Sequence, residues 1–390
     1  VHLGKKIGRA STNAFSEDAL QTVVRDATEI ASHQADSPDF LPMPGRQTYQ
    51  KVENFDEKTA FFSPEERAEA IRESVEECRK SSLTATGSFS SGYAARGVAN
   101  SKGVFAFHTS SAAHFNITVS AGSASGWAEQ ISSRVSEIAA RDLVRTAVEK
   151  ARLGKDPVDL EPGRYTVIFE PAAAAEFLLF MSYYTFGALP VIEGRSFLSG
   201  KLGEKVLGEN INIVDDAYHP LFRGLPFDYE GMPRKKVVLI EKGVAKGLVQ
   251  DRKTALAMNT ESTGHSLPQP NAYGPIPENL LLDAGESSLD EMIASTGRGI
   301  LVTQLHYCNV EDPKHMVLTG LTRNGTFLIE DGKLTRGVRN FRFTESAVNA
   351  FNRVEKASRE KKLVGAFFGG EFAVPALKVR EFAFTSKAEL

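Results

Sequence analysis

The chain has 390 residues, of which 42% are hydrophobic and 24% charged, enough to bury a large core and to fill two to three domains. Lys and Arg number 46 against 49 Asp and Glu, a net charge of -3, so charge points to neither nucleic acid nor an anionic membrane surface as a partner. Cys78 and Cys308 are the only cysteines, which excludes a disulfide framework, leaves at most one bridge, and leads us to expect a reducing, cytoplasmic location.

Residue 1 is Val and no basic-then-apolar leader opens the chain, which predicts a truncated or processed start. Ser16 can cap a helix from Glu17 to about His33, with Ala19, Val23, Ala27 and Ile30 at helical spacing. Three prolines in 36–45 then break the pattern. Ser63-Pro64-Glu65-Glu66 starts a second helix ending near Lys80, with Pro in the first turn and acids against the helix dipole. From 83 to 130, short alternating segments punctuated by Gly and Ser read as an antiparallel meander. A long helix is predicted over 133–153, ended by Gly154-Lys155-Asp156-Pro157, where we place a domain boundary.

Beyond it, 165–169 reads as a buried strand and 171–185 as an apolar helix, too short for the roughly 20 residues of a membrane span. That helix is hydrophobic on nearly all faces, which suits a buried or subunit-interface position. Hairpins are predicted around Lys242-Gly243 (237–249) and Asp331-Gly332 (326–338), then a helix over 346–361 and a closing strand over 377–384. The expected fold class is α+β: an N-terminal helix and antiparallel-sheet domain over 1–155, then a larger β-rich, barrel-like domain over 160–390 with a few helices.

Several features occur in a fixed order after residue 160. They are Phe169-Glu170-Pro171, Ser199-Gly200-Lys201-Leu202-Gly203-Glu204, Pro226-Phe227-Asp228-Tyr229-Glu230-Gly231, Ser262-Thr263-Gly264-His265, Pro277-Glu278-Asn279, and Leu328-Ile329-Glu330-Asp331-Gly332. In this order they resemble the TldD/PmbA family, members of which have also been called modulators of DNA gyrase. The resemblance covers most of the chain; the first 155 residues match more loosely, and the family's opening strand and helix are missing.

In that family the TldD-type subunit carries a His-Glu-x-x-x-His helix, whose histidines bind zinc while the glutamate activates water. Counting back from Ser199-Gly200, the matching stretch is Leu179-Phe180-Met181-Ser182-Tyr183-Tyr184, so Leu179, Phe180 and Tyr184 stand where the motif residues would be. The cysteine ligand that TldD-type chains supply in a Gly-rich segment is also missing from Gly365-Ala366-Phe367-Phe368-Gly369-Gly370. The resemblance therefore implies a TldE/PmbA-type chain with no catalytic residue and no cofactor of its own, zinc belonging to a TldD-type partner. It implies a homodimer, or a heterodimer with that partner, handling unfolded or small peptides. Exposed strand edges of the β-rich domain would hold the peptide in a chamber.

Other constellations carry weaker chemistry. Asp228 and Glu230 flank Tyr229 before Gly231, so in an extended segment both carboxylates face one way. They are candidates for an acid/base pair, and more simply for fixing a turn beside a peptide cleft. Ser262, Thr263 and Gly264 offer hydroxyls and amides to a peptide backbone, with turn formation as the ordinary reading. His306, Cys308 and His315 offer zinc-compatible ligand types, with His306 and Cys308 expected on one face of a strand; packing and surface roles are the favoured alternative. His108 and His114 read as surface residues, and Arg234-Lys235-Lys236 as a short solvated charge cluster. Gly122-Ser123-Ala124-Ser125-Gly126 has Ala where a nucleophile elbow needs Ser, and Gly297-Arg298-Gly299 completes no nucleotide loop. Two rival functions stay open: a self-sufficient peptidase using an atypical site around Cys308 or Asp228, and a protein-binding regulator.

Overall fold

Ser16 caps the first long helix of the computed structural model, which describes residues 1–388: its hydroxyl accepts the N–H of Ala19. Residues 1–45 form one unit. In it a two-residue hairpin, β1 (His2–Leu3) with β2 (Lys6–Ile7), accompanies α1 (Glu17–His33), which buries Ala27 and Ala31.

The second unit begins at Arg46. Asp56 caps the single turn α2 (Glu57–Ala60), and Ser63 with Glu66 closes a capping box on α3 (Pro64–Lys80), as the Ser-Pro-Glu-Glu sequence predicts. The meander is three long antiparallel strands in sequence order, β3 (Thr84–Ala99), β4 (Phe105–Ala121) and β5 (Ala124–Ser132). α4 (Ala140–Leu153) lies against them, burying Val144, Ala147, Val148 and Ala151 on Phe115, Ile117, Val119 and Cys78. Gly126 permits this approach, since a Cβ there would stand 2.2 Å from the Ala147 carbonyl oxygen.

The helix expected from residue 133 begins only at Ala140. Side chains from outside the segment hold 133–139 in other conformations: Ser111 donates to the Ser133 carbonyl, Thr59 accepts from Val135 N–H and Gln130 accepts from Ala139 N–H.

An eleven-stranded sheet dominates the remainder. Its elements in chain order are β6 (Gly163–Phe169), α5 (Pro171–Tyr184), α6 (Ala188–Ile192), β7 (Ile213–Asp215), β8 (Val237–Glu241), β9 (Val244–Ala245), α7 (Arg252–Ala257) and β10 (Leu280–Leu282). Then follow α8 (Leu289–Ala294), β11 (Arg298–Asp312), β12 (Val317–Glu330), β13 (Lys333–Gly337), β14 (Phe341–Ser346), α9 (Ala347–Asn352), β15 (Val354–Gly365) and β16 (Glu371–Lys387). The strand order is β13-β12-β11-β6-β16-β10-β7-β8-β9, with β14 on both β12 and β16, and β15 on β16. Both tight turns have left-handed central residues, Lys242 with Gly243 and Asp331 with Gly332, as two-residue hairpins require.

The α+β class holds, with two corrections. The large sheet is not closed into a barrel; β14 ties β12 to β16, but the ends of the path, β13 and β9, do not pair with each other. The helix expected over 346–361 stops at Asn352, and Val354–Gly365 is a strand. Its Lys, Arg and Glu residues favour a helix, but pairing with β16 from Val354↔Val379 to Gly365↔Glu371 overrides propensity.

α5 is buried on every side from Ala172 to Ser182 and packs against β6, β11, β15 and β16 of its own chain. Its all-round hydrophobicity is satisfied internally, so it offers no free face to a second subunit. Among the described residues no helix is long and apolar enough to cross a membrane.

Candidate functional site

The C-terminal half of α5 and the turn between β15 and β16 meet, although they are far apart in sequence. Phe180 and Phe368 lie 6.5 Å apart between ring centroids, and a Cβ at Gly370 would stand 4.0 Å from Leu179 Cδ1. The turn is closed by Gly369 N–H to the Ala366 carbonyl at 2.9 Å. The segment 179–184, set against the zinc motif by the resemblance, thus adjoins the Gly-rich segment 365–370.

Hydrocarbon occupies this place. Leu179 and Phe180 are buried, Tyr184 is half-buried against the core, and the first two have no lone pair to give a metal. Phe367 stands edge-on to His306 at 4.4 Å and to Phe368 at 4.9 Å, with Tyr307 at 5.9 Å. The rings of Tyr307, Phe367 and Phe368 are about half exposed or more, so the region presents an aromatic surface. These residues do not fit a zinc ion. Among the described residues no group of three or more His, Cys, Asp or Glu is arranged to hold one.

One acid sits under the aromatic surface. Glu176, one turn before Leu179 and Phe180, is 3% exposed, and its Oε1 accepts the Phe367 N–H at 2.6 Å. Its other oxygen has no hydrogen-bond partner among the described residues. Burial pushes the Glu176 carboxyl up to about 7. A lone acid within Ala-Ala-Ala-Ala-Glu-Phe-Leu-Leu was the available sequence signal for it.

The three weaker metal candidates do not share a site. Tyr307 takes a positive φ of 54° and the β11–β12 register shifts between His306 and Asn309, so strict alternation fails there. Cys308 is fully buried in the core, its thiol pushed well up by burial and by Glu176. His306 packs on Phe367, and exposed His315 bonds Asp312 at 2.7 Å.

The acidic candidates lie in a polar centre built from loops around β7 and β10. Asp228 accepts the N–H groups of Glu230 (2.9 Å), Met232 (2.8 Å) and Ser266 (2.9 Å), which makes it the fastener of its turn. Burial still leaves its carboxyl above the usual range. Glu230, beside Arg252, is pushed up to about 7 by burial and by the charge of Asp228. Gly231 turns the chain at φ 79°.

Both hydroxyls and the Thr263 and Gly264 amides of the Ser262-Thr263-Gly264 segment are engaged within the chain. Ser262 and Thr263 both donate to the Gln250 carbonyl, Thr263 accepts the Gln250 N–H at 2.6 Å, and Gly264 N–H donates to Ser262. Gly264 has φ 73°, and a Cβ there would meet the Pro233 carbonyl oxygen at 2.2 Å.

Sequence reasoning passed over what these loops enclose. His265, fully buried, bridges Asp215 at 2.8 Å and Thr263 at 2.9 Å, while Asn279 N–H donates to Asp215 at 2.7 Å. Arg234 is not a solvated charge: its side chain is 1% exposed and paired with Glu278. Only Lys235 and Lys236 of that run remain substantially exposed, paired with Glu261 and Asp216. His108 and His114 are part-buried and bonded to Asn54 and Glu129.

Residues 54–154 match the profile of the PmbA/TldA metallopeptidase central domain, and residues 162–386 that of its C-terminal domain. The chain is 26% identical over 211 residues to a metalloprotease of Methanothermobacter thermautotrophicus, covering 53% of this chain and 45% of the relative. It is 30% identical over 171 residues to the metalloprotease TldD homolog of Haemophilus influenzae, covering 43% and 35%. The matches thus span less than half the length of these curated relatives. Among solved structures, TldE from Thermococcus kodakarensis has a similar fold, with a TM-score of 0.86 at 24% identity over 97% of this chain and 87% of that one. A Thermotoga maritima protein described as a candidate modulator of a DNA gyrase aligns with a TM-score of 0.84 at 18% identity, over 98% and 87%. With the C-terminal domain profile alone spanning more than half of its residues, the chain belongs to the PmbA/TldD family.

Proposed function

We propose that this chain is the TldE-type subunit of a two-chain TldD/TldE peptidase in the cytoplasm. It carries no zinc itself and holds peptides for a partner that supplies the His-Glu-x-x-x-His helix. The observation that carries the reading is the contact between Leu179, Phe180 and the Gly365–Gly370 turn: the places of the metal ligands adjoin, as an active arrangement needs, and both are filled by groups that cannot bind metal. The fold likeness to TldE supports the same assignment. The chain's own chemistry is positional, with aromatic side chains and strand edges to contact an extended peptide and, among the described residues, no cluster of His, Cys, Asp or Glu to hold a water-activating metal.

The test is cleavage of casein and of unfolded peptides, with zinc content measured in parallel, for the purified chain alone and mixed with a TldD-type chain. We expect no cleavage and no stoichiometric zinc alone, and cleavage in the mixture. Metal-dependent cleavage by this chain alone would sink the reading in favour of a self-sufficient peptidase. Binding to a topoisomerase without any peptide processing would favour the regulator.

A further inference from the structure

β3 and β4 pair without a register break from Thr84↔Ser120 to Ala99↔Phe105, so residues two apart on either strand keep one face along the whole hairpin. Near the helices that face carries Phe115, Ile117 and Val119, which α3 and α4 cover. Beyond the helices the same face continues with Phe105 and Phe107 on β4 and with Tyr93, Ala95, Gly97 and Ala99 on β3, and all six are exposed.

The burial of β4 is inverted there. Phe105 is 78% exposed and Phe107 64%, while Ala106 between them is 3% exposed. A strand with one buried face ordinarily turns its larger apolar side chains inward, because a shift of one position exchanges the faces. Here the alanine faces the protein and the phenylalanines face water, an arrangement that gains burial only when a further surface covers it. Tyr93 extends the patch to Phe61, at 5.7 Å between ring centroids, and to Phe55 at 6.2 Å, both about half exposed or more. From this face we infer that two copies of the chain pack on each other through their β3–β4 hairpins, face to face, as a two-fold dimer.

Area, charge and shape select the second copy. At about 200 Å² per ring, the exposed fractions of these five aromatic residues come to about 600 Å². The exposed Ala95, Gly97 and Ala99 add to it, towards the roughly 800 Å² that each partner of a stable interface contributes. A two-fold interface sets a patch against itself, and a charge near the axis meets its own copy. This face carries none: in hairpin residues 93–111 the ionisable side chains besides Tyr93 are Arg96 and His108, which line the opposite face, and Lys102, in the turn. Gly97 lies opposite Phe107, and a Cβ there would stand 3.5 Å from Phe107 Cδ2, so the ring reaches across towards β3 and the face has no ridge to hold a second sheet away. An anionic lipid surface would instead call for a cluster of basic residues around the aromatic patch.

The test is sedimentation velocity of the purified full chain over a concentration series. We expect a species of twice the 42.5 kDa chain mass. The double variant Phe105→Ser, Phe107→Ser should raise the dissociation constant at least about a hundredfold while keeping the far-ultraviolet circular dichroism of the wild type, since both rings are exposed within one chain. Ala95→Glu gives an independent reading: it sets a charge and its copy into the interface and should weaken the dimer at least about tenfold. A monomer throughout the series, or a dimer unmoved by both variants, would overturn the inference. So would a monomer that binds phosphatidylcholine vesicles or a TldD-type chain and loses that binding in the double variant, which would give the face to a lipid surface or to that partner. Sedimentation of the chain alone reports on this face and cleavage in the mixture on the subunit reading, so either can fail while the other stands.

Discussion

Glu176 Oε1 accepts the backbone N–H of Phe367 at 2.6 Å, joining positions 191 residues apart and fastening the β15–β16 turn onto α5. The carboxyl making this contact is held near 7 by burial, against 4.5 when unfolded. Folding therefore takes up a proton between those values. Stability is greatest below pH 4.5 as far as this group is concerned, declines as pH rises through about 7, and stays reduced above it. The shift corresponds to a penalty on the order of 3 kcal/mol at alkaline pH. Glu176→Gln keeps an acceptor for Phe367 without the charge. We expect its melting temperature to exceed that of the wild type at pH 8.5 and the gap to shrink at pH 5, by scanning calorimetry at both pH values; a gap independent of pH would count against this account.

Asp228 gathers three backbone amides, and its removal strands all three, that of Ser266 fully buried and those of Glu230 and Met232 part-buried. Asp228→Ala should cost about 3 kcal/mol in urea unfolding, because unmet buried donors cost more than the hydrogen bonds contributed. Glu230→Gln, which removes only a part-buried charge already repelled by Asp228, should change stability little or raise it at pH 8. Equal losses in the two variants would contradict the fastening role of Asp228.

Two glycines with left-handed backbone separate strain from clash. Gly203 has φ 88° with open space around a Cβ, whereas Gly264 has φ 73° with the Pro233 carbonyl oxygen 2.2 Å from one. Gly203→Ala should cost about 1 kcal/mol, the backbone contribution alone. Gly264→Ala should cost several times more and lower soluble yield, as measured by thermal unfolding of the two purified variants side by side.

Local signals in the sequence were readable where local physics decides. The serine caps at Ser16 and Ser63 begin helices in the structure, and the Lys242-Gly243 and Asp331-Gly332 turns are hairpins, because caps and tight turns depend on residues within a few positions. Where a distant partner decides, the sequence misled. Val354–Gly365 has the composition of a helix and becomes a strand because β16 is beside it. In Arg234-Lys235-Lys236 nothing local distinguishes the one cation that is buried; Glu278, 44 residues on, makes that choice. Counting from Ser199-Gly200 set 179–184 against the zinc motif of the resemblance, and only the fold shows that this segment adjoins Gly370.

β16 pairs with β6, β10, β14 and β15 at once, and it is the last of these strands in chain order. During synthesis, the hairpins of β11 to β13 can form as they leave the ribosome, but the strands that flank β16 wait with open edges until residue 387 has emerged. A nascent chain stalled before residue 371 should therefore be the form most prone to chaperone capture and aggregation, since unpaired β edges template intermolecular pairing.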